Sequence, residues 1–139
     1  MAFMEWTDEC SVGVRQFDDD HKMLFSIANE LYDGVLAGSG SNIDATLSNV
    51  FGRLKAYTEL HFKHEEDIFE RTGYPNARSH KGLHDIAKTM FAKIPSDAVH
   101  GDKRQLAMEL TNVLKGWLLL HIQEEDMKYG AFLNSRGIR

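Results

Sequence analysis

The chain has 139 residues, is 42% apolar, and carries a net charge of −5 with acids and bases interspersed. That length suits one compact domain around one core, and the scattered charge leaves no basic stripe for nucleic acid. The most apolar run, WLLLHI, is far too short to span a bilayer.

The opening MAFMEWTDEC lacks the apolar centre of a secretory signal, and the single cysteine, Cys10, excludes an internal disulfide framework. A cytoplasmic protein with no membrane span is the expectation, and residues 1–139 are expected to form one domain.

In chain order, residues 1–17 read as an extended arm, with SVGVRQF too isolated to pair as a strand and Trp6 as a candidate anchor. Leu24, Ala28, Leu31 and Val35 recur at helical spacing and predict helix A over about 20–37, which AGSGS then ends. Ser41 with Asp44 resembles a capping box. Helix B follows to about residue 71, with Leu47, Val50, Leu54, His61, Glu65 and Ile68 inward. TGYPN is a turn, and helix C covers about 77–93 with Leu83, Ala87, Met90, Phe91 and Ile94 as its stripe. PSDAVHGD is a loop, and helix D runs over about 102–129 with Leu106, Leu110, Val113, Leu114 and Trp117 inward. Four amphipathic helices with short connections imply an all-α, antiparallel up-down four-helix bundle over 18–139, with the arm lying on it.

Histidine is the unusual element of this pattern. An α-helical residue turns by about 100°. On helix B that rotation places His61 and Glu65 on the apolar face, His64 at its flank, and Glu66 and Asp67 in solvent. On helix C, His80 and His84 share the stripe. His21 precedes Leu24 by one turn on helix A, and His121 follows Trp117 by one turn on helix D. A lone core histidine is ordinarily a hydrogen-bonded packing residue. Here Glu65 would share the interior with up to five imidazoles and no evident buried Lys or Arg, and an uncompensated buried carboxylate costs several kcal/mol. A bound cation satisfies both residue types. In an antiparallel bundle His21 and His80, near helix starts, and His61 and His121, near helix ends, meet at one level. The set exceeds what one structural zinc needs, and two metals would use all of it.

The segments DDDHKMLF, HFKHEE, HKGLH and HIQEED together resemble the ligand segments of the single-domain bacterial hemerythrins, and the likeness extends from Trp6 to Tyr129. The resemblance implies a non-haem di-iron centre, oxo- or hydroxo-bridged. His80, His84 and His121 would hold one iron and His21 and His61 the other, with Glu65 and Asp126 bridging. It also implies reversible dioxygen binding at an open position on the second iron, for transport, storage or delivery, rather than catalysis. Trp117, Leu118, Phe25 and Phe62 are the candidate walls of the oxygen pocket. Oxygen or redox sensing, di-iron oxidase or peroxidase chemistry, nitric-oxide handling and adventitious zinc are the competing readings. A monomer serving an oxygen-consuming recipient is expected.

Asp126 is the exception to helix arithmetic. Five residues beyond His121 is about 140° round a regular α-helix, so Glu124 and Glu125 fit the stripe better. Asp126 reaches the centre only if a π-type turn lies between it and His121.

Overall fold

The computed structural model describes residues 3–37, 42–93 and 104–139. The linker at 38–41, the Ser41 cap, the loop that carries His100, and the side chains of Leu47, Ile94, Leu106 and Leu110 lie outside the described residues. Four helical rods and no strand make up the described part: α1 Arg15–Ala37, α2 Asn42–Thr72, α3 Ala77–Lys93 and α4 Arg104–Leu120. The fourth rod continues through a π-helical turn, His121–Asp126, into α5, Met127–Ser135. Packed neighbours run α3, α2, α1, α4.

Two boundaries differ from the periodicity. Helix A begins at Arg15 rather than near residue 20. Val14 and Phe17 are buried and extend the stripe backwards, while Asp18 in the first turn accepts from Val12 N at 2.8 Å and Ser11 Oγ at 2.6 Å. An acid there also complements the positive end of the helix dipole. The arm therefore ends at residue 14. The fourth rod runs past 129 to Ser135, since Leu133 is fully buried.

Met90 and Val113, expected inward, are 48% and 58% exposed. They sit at the outer edges of their stripes, while Phe91 and Trp117 carry the contact between α3 and α4 with ring centroids 6.2 Å apart. At the end of α2, Gly73 takes a left-handed φ of 68°, and both Gly73 N and Tyr74 N donate to the Phe69 carbonyl. That cap turns the chain sharply into α3, putting His80 back at the level of His61.

The core has two parts. Above lie Leu24, Ile27, Ala28, Leu31, Val50, Leu54, Phe91 and Leu118. Below, Phe17, Phe69 and Tyr74 pack around the Tyr129 ring at centroid distances of 5.3, 5.2 and 6.4 Å. The arm seals this floor. Its residues Val12 and Val14 are buried, and the Val12 carbonyl lies so close to Gly130 that a Cβ there would clash; the start of the arm reaches further up α1, where Asn29 clasps Met4 N and O at 2.6 and 2.9 Å.

Candidate metal centre

Between the two parts lies a polar layer. His21 from α1, His61 and Glu65 from α2, His80 and His84 from α3, and His121 and Asp126 from the π turn are all buried. The seven expected residues are thus brought together. Asp126 Oδ2 is 3.1 Å from His21 Nε2, while its Oδ1 is 3.0 Å from His80 Nε2 and 3.1 Å from His121 Nε2. Glu65 repeats the division, with Oε1 2.5 Å from His61 Nε2 and Oε2 3.2 Å from His80 Nε2. His84 Nε2 stands further off, 3.9 Å from Glu65 Oε1. Two overlapping groups result, one of His80, His84, His121 and Glu65, the other of His21, His61, Glu65 and Asp126, each with donor atoms within 4.8 Å of one another.

The layer has a deficit of protons. Both oxygens of Glu65 and of Asp126, and Nε2 of His80, His84 and His121, are buried without a hydrogen bond; the contacts above are close but not aligned as such bonds. His21 and His61 bring their Nε2 atoms within 2.9 Å of each other, close enough for both to reach one ion. A cluster of five imidazole nitrogens and two carboxylates fits divalent transition metals, and such ions would supply the missing partners.

Without a cation, protons substitute. Burial alone would lower His61, but the Glu65 and Asp20 carboxylates outweigh it and raise its pKa to about 10. His80, also opposed by burial, is raised to about 9 by Asp126 and Glu65. His84 goes the other way, to about 3, because burial dominates and Glu65 is more distant. Burial raises Glu65, as does Asp126, yet His61 and His80 hold it at about 2.

The π turn is what delivers Asp126. It adds one residue to the local repeat, so Asp126 faces inward with His121 while Glu124 is exposed and Glu125 turns out to Lys128 at 3.2 Å. Helix arithmetic that favoured Glu124 or Glu125 is corrected by this turn.

Two outer carboxylates escaped the sequence reading. Asp20 Oδ2 lies 2.8 Å from His61 Nδ1 and 3.0 Å from His64 Nδ1, and its Oδ1 accepts from the Tyr57 hydroxyl at 3.1 Å. Burial would raise Asp20, but the His61 and His64 bonds hold it at about 2. Glu66, expected in solvent, has a side chain only 20% exposed and lies 3.1 Å from His84 Nδ1. A histidine that donates Nδ1–H to a carboxylate presents its Nε2 lone pair to a metal. The only signal in the sequence was adjacency, Asp20 beside His21 and Glu66 beside Glu65.

Of the expected pocket residues, Phe62 stacks on His84 at 3.9 Å and 6°, and Trp117 on His121 at 5.0 Å and 12°. Phe25 instead turns to the arm, its ring 5.6 Å from Trp6. One turn above the histidines, Trp117 and Leu118 join Leu24, Ala28, Leu54, Thr58, Phe91 and Leu114 around a cavity of about 10 Å³, roughly the room one water needs. Thr58 spends its hydroxyl on the Leu54 carbonyl at 2.7 Å, so the wall offers little to hold water.

Fold and layer together define a helical-bundle, histidine–carboxylate cation-binding protein. Residues 12–133 match the hemerythrin HHE cation-binding domain, and the chain belongs to the hemerythrin family, whose members generally bind dioxygen at a di-iron centre. It is 31% identical to bacteriohemerythrin of Methylococcus capsulatus over 136 residues, 97% of this chain and 100% of that one. It is 30% identical to bacteriohemerythrin of Pseudomonas aeruginosa over 93% of this chain and 80% of that one. A hemerythrin-like protein of Naegleria gruberi matches at 30% over 92% of both. Among solved structures, wild-type hemerythrin superposes with a TM-score of 0.81 at 29% identity, covering 94% of this chain and 97% of that one. No helix among the described residues is long and apolar enough to cross a membrane.

Proposed function

We propose that this chain binds dioxygen reversibly at a pair of non-haem iron ions, as a carrier, store or delivery protein. The observation that carries this reading is the division of each carboxylate. Glu65 and Asp126 each turn one oxygen to the His21–His61 side and the other to the His80 side, the disposition two bridging ligands need. His80, His84 and His121 would hold one ion and His21 and His61 the other, the second set offering one nitrogen fewer. Such an iron pair would supply reversible two-electron redox chemistry for one dioxygen.

The remaining work falls to the chain. Asp20 and Glu66 hold His61 and His84 with Nε2 inward. Phe62 and Trp117 stack on the His84 and His121 rings and hold them in orientation. The small cavity lined by Trp117 and Leu118 lies one turn above the histidines and is walled almost wholly by apolar side chains, which favours a small apolar diatomic ligand over water. Iron analysis with visible spectra in the reduced, oxygenated and oxidised forms tests the reading. We expect two irons per chain and an oxygenated spectrum that reverses when oxygen is pumped away. One iron, or immediate irreversible oxidation with turnover, would replace the carrier by another function.

A further inference from the structure

Asp20 is only 7% exposed, yet it is not one of the seven residues whose donor atoms converge. Its three partners, Tyr57, His61 and His64, all come from α2 at spacings of four and three residues, which is one face of that helix. Asp20 itself stands on α1, immediately before His21. The carboxylate therefore pins α1 to α2 at the level of the centre.

This matters more on one side than the other. Among the described residues His21 Nδ1 is buried with no partner, so within the His21–His61 pair the outer support falls on His61, through Asp20. On the opposite side His84 has Glu66 outside it and Phe62 stacked on its face.

We propose that Asp20, clamped by Tyr57 and His64, is the positioning residue of the His21–His61 position: it fixes the His61 ring, with the proton on Nδ1, so that Nε2 receives the ion without rearrangement. The inference rests on the two-metal reading above. A ring tied at Nδ1 cannot flip, and an outer partner of this kind is worth about 10- to 100-fold in metal affinity. His64 and Tyr57 act one step further out, by denying Asp20 its other rotamers.

The test is titration of the metal-free protein with Co(II), which is stable in air and whose visible bands report the geometry of each position. The parent should take up two ions. Asp20→Asn should weaken one of the two positions by about 10- to 100-fold and change that position's bands, leaving the other position and the helix content as they were. Tyr57→Phe and His64→Gln should weaken the same position by a smaller factor, about 2- to 10-fold; they stand in if Asp20→Asn does not fold. Equal loss at both positions, unchanged affinities, or tighter binding in Tyr57→Phe and His64→Gln would overturn the inference. A parent that takes up fewer than two ions overturns the two-metal reading and this inference with it, whereas two ions in the parent and no effect in the variants overturns this inference alone.

Discussion

The two sides of the metal layer are built differently. The His80–His84–His121 side is enclosed by aromatic faces, Phe62 on His84 and Trp117 on His121. The His21–His61 side is tied by hydrogen bonds to Asp20 and lies below a small apolar space. Stacked rings hold one side, and a hydrogen-bonded carboxylate holds the other. The difference teaches that two groups of ligands in one layer can be fixed by different outer chemistry.

The largest effect should come where the two sides are one. Glu65→Gln removes the charge that both share, and we expect iron content to fall from two per chain to well under one, by elemental analysis. If both ions survive, Glu65 is not shared by the two sides. Inserting one alanine after Gln123 should be nearly as severe. It carries Asp126 a further residue from His121, about 100° round the helix and out of the layer, so we expect at least a 100-fold loss of metal affinity with little change in the circular dichroism spectrum.

Single-histidine changes should then separate the sides. His21→Gln leaves one imidazole in its set and should bring the stoichiometry to one. His84→Gln leaves two and should keep both ions at lower affinity. Titration with Co(II) reads both outcomes.

Protons sharpen the contrast further. His61 has its folded pKa raised to about 10, so its contribution to the metal-free protein is complete below the unfolded value near 6.5 and disappears as pH rises through 10. His84, lowered to about 3, works in the opposite sense and withdraws stability as pH falls from 6.5 towards 3. The metal-free Tm should therefore fall between pH 7 and 10, and His61→Gln should flatten that limb. Metal affinity should rise with pH over the same range, as bound protons on His61 and His80 give way. The smallest expected effect lies beneath both sides. Gly130→Ala presses a methyl against the Val12 carbonyl and should cost about 1–3 kcal/mol, seen as a lower Tm with the metal stoichiometry unchanged.

The sequence made visible whatever follows the 3.6-residue repeat. His61 with Glu65, and His80 with His84, lie four apart on regular helices, so their inward placement could be worked out. Asp126 could not be placed by that repeat, because a π turn changes the angular step, and only the likeness of HIQEED to a hemerythrin ligand segment pointed to it. Glu66 and Asp20 sit at stripe flanks, where the deciding partner is on a neighbouring helix. Met90 and Val113 are apolar residues at stripe edges that stay exposed, which residue type and spacing alone do not reveal.

The seal beneath the centre joins distant stretches of chain. Asn134 donates to the Gly13 carbonyl across 121 positions, and Val12 rests on Gly130. During synthesis the arm leaves the ribosome long before the residues that receive it. Until α5 arrives, the nascent polar layer stands open from below to the surrounding solution, and docking of the two closes that door last.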